Sequence, residues 1–302
     1  MAAFCAESKT LQSEKDEIRS LLKLNDFSTA ASHAKVLNKR TPDDVSTYQL
    51  LADAQLGLGD YDDAEKSIQW MLDLRIGKAD AAGWFLIARF REYTGDIDGA
   101  VEAANLSYTR IVPGQQPDKL SLLLYSVHLQ MLAGNLNNAE TLLKGMPVEL
   151  PDGEATLAAL ARLRFMQNRK EEAILILTNL VEKGSHPRYQ YQLALLTEKP
   201  SDFEAFELAA IKRKAGADNV NRELVLYYSA SGHRPQEALT IARSEANKRH
   251  DNLTMDSLAI ALHQCGESEE ARTIMSKILK VGSVDSDVLN HAAAFGLSPK
   301  AR

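Results

Sequence analysis

The stretch "GLGDYDDAEKSI", Gly57 to Ile68, returns in outline at several places along the chain. Its counterparts are "YTGDIDGAVEAA" from Tyr93, "LAGNLNNAETLL" from Leu132 and "HQCGESEEARTIM" from His263. Each copy has a glycine, a short polar turn, and an alanine five residues after the glycine. An outline that recurs at a regular distance is typical of a repeat protein, in which every copy forms the same small structural unit.

The alanines of these copies set the period of the repeat. Counted through the whole chain, the anchor alanines are Ala30, Ala64, Ala100, Ala139, Ala173, Ala205, Ala238 and Ala271. Successive anchors are 34, 36, 39, 34, 32, 33 and 33 residues apart, which is enough for two short helices and their turns. Ala205 is the weakest anchor, because "LLTEKPSDFEA" before it has no glycine turn. The spacing predicts about eight helix–turn–helix units.

The residues of each unit explain why two helices meet at the turn. A glycine ends the first helix, where a left-handed residue is favoured and the missing Cβ removes the steric penalty. The expected helix ends are Gly59, Gly95, Gly134, Gly232 and Gly266, with Asn25 in the degenerate first unit. The polar residue after the glycine can cap the second helix. The anchor alanine, one turn further on, lets the two helices approach closely.

An apolar stripe follows the first helix of each unit. Tyr48, Leu51 and Ala52 have the i, i+3, i+4 spacing that places side chains on one helical face. The same triplet recurs in later units as Trp84, Ile87 and Ala88, Leu157, Leu160 and Ala161, and Met255, Leu258 and Ala259. No unit can bury this stripe alone, so stacked units are expected to share one continuous core.

We divide the chain into three parts on this pattern. Residues 1–12 form an N-terminal segment, which is either the stump of a removed signal peptide or an ordinary N-terminus. Residues 13–283 form one continuous solenoid, with an irregular unit near 187–219. Residues 284–302 form a capping helix and tail, because the exposed end of a solenoid needs a cap. The compartment stays open between the cytoplasm and export to the periplasm.

The repeats resemble those of the tetratricopeptide repeat (TPR) family over residues 16–294. The best-matching units are "TYQLLADAQLGLGDYDDAEKSI" and "MDSLAIALHQCGESEEARTIM". The narrower matches "YTGDIDGAVEAA", "NRELVLYYSASGHRPQEALTIA" and "SDVLNHAAA" look like a group of largely uncharacterised bacterial TPR proteins. The resemblance implies an all-α, right-handed α-solenoid with a role in binding proteins rather than in catalysis.

Composition excludes several other classes of function. The formal net charge is −6 and the pI is near 5.7, which disfavours nucleic acid as the main partner. Cys5 and Cys265 are too far apart in sequence for a disulfide framework or a metal motif. The longest uncharged run, 120–139, contains too many polar residues to cross a membrane. No sequence motif of a hydrolase, kinase or zinc enzyme occurs, so we expect no enzyme, metal or cofactor.

The remaining candidate is a surface on the first helices, which the TPR resemblance places along the concave groove. Aromatic, methionine and arginine residues are the types that anchor protein interfaces. By register, the candidate groove residues are Phe85, Arg89, Tyr93, His128, Met131, Arg162, Phe165, Met166, Arg222 and His263. We therefore expect a protein scaffold that holds a peptide or a partner helix in this groove.

The three groove arginines indicate the chemistry of the partner. A guanidinium binds a carboxylate through two parallel hydrogen bonds, so Arg89, Arg162 and Arg222 favour an acidic protein or peptide. The opposing interpretation is that they pair with Glu92, Glu154 or Glu223 of this chain, and the sequence leaves both open. The lysine and asparagine pattern of chaperone-binding TPR clamps is absent. Self-assembly through the solenoid ends remains the alternative function.

Overall fold

The computed structural model describes residues 2–74, 79–114, 117–146, 153–216 and 218–298, with the backbone alone for residues 2–9. Within these ranges it contains seventeen helices and no strand. The first helices of the units are α1 (Ala2–Lys23), α3 (Val45–Leu58), α5 (Ala81–Tyr93), α7 (Lys119–Leu132), α9 (Glu154–Met166), α11 (Pro187–Thr197), α13 (Asn221–Ser231) and α15 (Asn252–Gln264). The second helices are α2 (Phe27–Arg40), α4 (Tyr61–Leu74), α6 (Ile97–Tyr108), α8 (Leu136–Lys144), α10 (Lys170–Glu182), α12 (Pro200–Arg213), α14 (Pro235–Ala246) and α16 (Ser268–Val281), and α17 (Ser286–Ala294) follows them. The predicted all-α solenoid is confirmed.

Consecutive helices pack against each other along the whole array. Several first helices also contact the first helix of the next unit. These pairs are α1 with α3, α3 with α5, α7 with α9, and α13 with α15. These extra contacts draw the first helices together on one side of the array. That side is therefore the concave one, and the second helices lie outside it. The helix α1 runs without a break through residues 12 and 13, the boundary proposed from the sequence.

The anchor alanines lie where the sequence places them, with one exception. Seven of them are completely buried: Ala30, Ala64, Ala100, Ala139, Ala173, Ala238 and Ala271. Each is the fourth residue of its second helix, close to the turn that joins the pair. A residue larger than alanine at this depth would push the two helices apart.

The exception is Ala205, which is only half-buried, so its assignment as an anchor is wrong. The helix α12 begins at Pro200, a favoured residue for the first helical position, and its fourth residue is therefore Phe203. Phe206, one turn later, is completely buried. The sixth unit thus replaces a small anchor by aromatic packing, which the alanine pattern could not reveal.

Left-handed residues end the first helices, as expected. Gly59, Gly95, Gly134, Gly232 and Gly266 have φ between 64° and 88°, and Asn25 has φ 57°. The two remaining units use Asn168 (φ 59°) and Glu198 (φ 57°) at the same place. The unit without a glycine turn therefore keeps the turn geometry, and Glu198 adopts a conformation that costs a non-glycine residue about 1–2 kcal/mol.

The solenoid curves far enough for its second unit to meet the loop between its seventh and eighth units. The backbone N–H of His250 donates to the Leu58 carbonyl at 2.7 Å, and the His250 Nε2 lies 2.7 Å from an Asp60 carboxylate oxygen. The Asn252 N–H donates to the Tyr61 hydroxyl at 3.2 Å. We call this contact between residues 58–61 and 250–252 the seam. It joins the turn inside the second unit to the loop between α14 and α15.

Candidate functional site

A chain of polar contacts runs along the concave side from α3 to α9. It begins at Asp53 on α3, whose carboxylate accepts a hydrogen bond from Arg89 on α5. The Arg89 side chain is 20% exposed, and its guanidinium lies 5.9 Å from the ring centres of Phe85 and Tyr93. Although burial opposes the charged form, the Asp53 carboxylate raises the pKa of Arg89 above its ordinary value. The Arg89 guanidinium is therefore paired with a carboxylate of this chain and largely buried.

The contact chain continues through Glu92 to the next unit. Glu92 accepts a hydrogen bond from the Tyr125 hydroxyl at 2.7 Å, and its other oxygen lies 2.8 Å from His128 Nε2. Burial and then the Glu92 carboxylate raise the pKa of Tyr125, so this phenol stays a hydrogen-bond donor. The Tyr125 ring also packs edge-on against Phe85, with the ring centres 5.1 Å apart.

His128 passes the contact chain on to α9. Its Nδ1 lies 3.3 Å from a guanidinium nitrogen of Arg162. A guanidinium can only donate, so Nδ1 accepts and the ring hydrogen lies on Nε2, where it is donated to Glu92. Arg162 is exposed, and among the described residues it contacts no carboxylate.

The helix α9 presents the most open part of this surface. Phe165 and Met166 follow Arg162 by three and four residues and therefore share one helical face with it. Phe165 is 50% exposed and Met166 is 36% exposed. The main contacts of α11 are with α10 and α12, so α11 does not cover α9 in the way that α9 covers α7. The face of α9 that carries Phe165 and Met166 is thus exposed beside a cation.

A second polar cluster joins α13, α15 and α17. The Asp256 carboxylate is completely buried, and it lies 2.9 Å from His291 Nδ1 and 3.6 Å from an Arg222 nitrogen. The hydrogen bond to Asp256 raises the pKa of His291, whereas burial opposes this shift. A buried carboxylate with two cationic partners ties the last helices together.

The ten candidate residues therefore separate into different environments. Phe85, Arg89, Tyr93, His128 and Arg162 belong to one contact chain, and Phe165 and Met166 adjoin it. Met131 is 3% exposed and packs in the core beside Leu163, so its assignment to the groove is wrong. Arg222 lies in the second cluster. His263 is exposed near the end of the array, 4.8 Å from the Phe295 ring.

The sequence left open whether the three groove arginines pair with Glu92, Glu154 or Glu223, and none of these pairs is present among the described residues. Arg89 pairs with Asp53 and Arg222 with Asp256, so each partner lies one unit away rather than on the same helix. Asp53, Tyr125 and His291 are the site residues that sequence reasoning missed, and Glu92, named there as a possible arginine partner, instead contacts Tyr125 and His128. The sequence does contain a signal for these contacts. The residues of the pairs Asp53–Arg89 and Glu92–His128 are each 36 positions apart, which is about one repeat. Opposite charges at the repeat distance indicate contacts between neighbouring first helices.

Three further features of the described ranges concern metal-ligand clusters, membrane spans and free cysteines. In the described ranges, no group of three or more His, Cys, Asp and Glu residues could hold a metal ion. No helix in the described part of the chain is both long and apolar enough to span a bilayer. Cys265 is a free thiol whose pKa is raised by burial.

No family model matches the sequence, and no curated protein matches it either. Solved structures do match. A chain of the APC/C hetero-tetramer Cut9–Hcn1 is 16% identical with a TM-score of 0.51, over 91% of this chain and 48% of that chain. A chain of the Naa15/Naa10 complex bound to HypK-THB is 15% identical with a TM-score of 0.41, over 96% and 39%.

A tetratricopeptide repeat protein from Parabacteroides merdae is 12% identical with a TM-score of 0.49, over 95% of this chain and 99% of that chain. The chain thus spans less than half of the two complex subunits that it matches. The likeness to the Cut9–Hcn1 chain, the one of these three with a TM-score above 0.5, shows that the helical pairs of this chain share its solenoid fold. By its fold, the chain is a tetratricopeptide-repeat solenoid.

Proposed function

We propose that the chain is a non-enzymatic scaffold that binds a protein segment on its concave side, chiefly along α9. The observation that carries this proposal is the exposed face of Arg162, Phe165 and Met166. Large apolar side chains beside an arginine are the residue types that dominate the energy of protein interfaces. Their exposure on an inner helix, rather than on the outer surface, favours a docking role.

The charges along the contact chain narrow the chemistry of the segment. Arg89 already pairs with Asp53, so it has little capacity left for a partner. Arg162 keeps most of its donors, because its only contact in the described residues is with the His128 ring. A segment with a carboxylate next to an apolar side chain would satisfy Arg162 and cover Phe165 together. We therefore propose an acidic, partly apolar segment as the partner.

A peptide-display selection tests the proposal. Random peptides are selected on the immobilised chain and then measured by fluorescence anisotropy. Selected peptides should combine Asp or Glu with Leu, Phe or Ile, and Arg162→Glu with Phe165→Ala should weaken their binding at least tenfold. The control is Leu175→Ala on α10, which removes a side chain that is 71% exposed on a second helix. If the α9 variant bound the peptides as tightly as the Leu175→Ala control does, α9 would be excluded as the docking surface.

Self-assembly through the solenoid ends stays a prediction from the sequence. Within the described residues, the seam joins the early and late units of one chain, and no observation favours the same contact between copies. Light scattering over a range of concentrations tests it, since a constant monomer mass excludes assembly.

A further inference from the structure

A polar cleft of about 860 Å³ lies beside the seam. One wall is the turn between α1 and α2, at residues 23–28. The other is formed by Arg188 at the start of α11, the loop before α13, and residues 245–249 after α14. The volume falls in the range of small-molecule sites, which is about 300–1,000 Å³. The cleft therefore joins the first unit to the sixth and seventh.

Most carboxylates around the cleft are already engaged. Glu245 accepts hydrogen bonds from Asn221 and from the Lys248 ammonium, both at 2.8 Å. Asp218 accepts a hydrogen bond from Arg213. Asp26 caps α2 by accepting from the Thr29 N–H at 3.2 Å. Only Glu223 of the lining carboxylates has no such partner among the described residues.

Lys248 and Arg249 pair with Glu245 and Asp251, whereas the other cationic groups of the lining keep unused donors. Lys23 has no ion pair in the described residues, and the described contacts of the Arg188 side chain consist of one hydrogen bond to His186 at 3.1 Å. The Nε of Arg222 is buried without any partner in the described chain. A guanidinium has five N–H donors, and a buried donor left unpaired costs free energy. The cleft wall therefore offers the donors of Lys23 and Arg188, which no described carboxylate engages.

We propose that this cleft binds a small molecule that carries several phosphate or carboxylate groups. The oxyanions would accept hydrogen bonds from Arg188 and Lys23, which stand on opposite walls. Because the ligand contacts the first unit and the later units at once, its binding tightens the same closure that the seam makes. The site is independent of the docking surface on α9.

Calorimetric titration of the full chain tests this site. Pyrophosphate and citrate serve as the phosphate and carboxylate probes, each at constant ionic strength against sodium chloride. We expect saturable binding with one site per chain. Lys23→Gln with Arg188→Gln should weaken it at least tenfold, because both ligand contacts are lost. Neither residue has a carboxylate partner among the described residues, so the change leaves no described buried charge unpaired. The control Lys183→Gln, at the exposed end of α10, should bind like the parent chain.

The probes also separate the two chemistries. Tighter binding of pyrophosphate assigns a phosphorylated ligand, and tighter binding of citrate assigns a polycarboxylate. Lys23→Gln alone, which should weaken binding at least threefold, replaces the double variant if circular dichroism shows that the latter has lost helix. The proposal is overturned if neither probe binds the parent chain saturably, or if the folded variants bind as tightly as the parent.

Discussion

Gly59 lies directly against the backbone of Asp251, so that one glycine serves two purposes in this fold. It ends α3 in the left-handed region, with φ 88°, and a Cβ placed on it would lie 2.5 Å from the Asp251 nitrogen. The first purpose is shared with the other turn glycines. The second exists only because the solenoid closes on itself at the seam.

Replacing Gly59 by alanine should therefore cost more than the same change at another turn. Gly134 has φ 74°, and no atom lies within 4 Å of the position that a Cβ would take there. Gly134→Ala should accordingly lose only the left-handed penalty of about 1–2 kcal/mol. Gly59→Ala should lose about 2 kcal/mol more, because each seam hydrogen bond that breaks contributes about 1 kcal/mol. Chemical unfolding of both variants measures the difference.

Small-angle scattering adds a second readout to this comparison. Gly59→Ala should raise the radius of gyration, since the early and late units separate, whereas Gly134→Ala should leave it unchanged. Equal stability losses and equal radii would show that the seam does not hold the closed shape.

The sequence predicts the features that recur in every unit, and it misses the contacts and residues that occur in one place only. The period of the alanines places Ala64 and its counterparts correctly, because every unit solves the same helix-packing problem. It fails at Ala205, where aromatic residues replace the small anchor, and at Met131, which the next first helix covers. The seam has no local signal, since His250 and Asp60 are 190 residues apart and meet only through the accumulated curvature of the array.

The left-handed Glu198 is a site where the fold can be stabilised. Glu198→Gly should raise the free energy of unfolding by about 0.5–1 kcal/mol, because the steric penalty of about 1–2 kcal/mol disappears while glycine adds flexibility to the unfolded chain. Glu198→Ala is the matched control and should change stability by less than about 0.5 kcal/mol, since it keeps a Cβ. Chemical unfolding of the parent and the two variants measures their order of stability. If Glu198→Gly is less stable than Glu198→Ala, the left-handed backbone at position 198 carries no steric penalty.

His291 should make stability depend on pH at the end of the array. Its pKa is raised above 6.5 in the folded chain by the hydrogen bond to Asp256. The folded state therefore binds the proton more tightly than the unfolded state does. The stabilisation is complete below pH 6.5 and is lost as the pH rises through the folded pKa.

The test compares the thermal unfolding of the parent chain and of His291→Gln at a pH below 6.5 and at a pH above the folded pKa of His291. The stability advantage of the parent should shrink as the pH rises from about 6 to about 9. His233→Gln, at an exposed loop histidine, should follow the parent at every pH. If the curves of the parent and His291→Gln run parallel, His291 carries no such proton linkage. Asp287 and Arg222 also face His291, and both remain in every variant.

The pair of Asp53 and Arg89 should couple the second and third units. Asp53→Asn leaves a largely buried guanidinium without its carboxylate, and we expect a loss of about 1.5–3 kcal/mol, the range for a hydrogen bond to a charged group. Arg89→Gln should lose a similar amount. The double variant should lose about 1 kcal/mol less than the sum of the single losses, because each single change already breaks the same contact. Chemical unfolding of the four chains gives the coupling energy. Strictly additive losses would mean that the two residues act separately and that Arg89 keeps its donors for a partner.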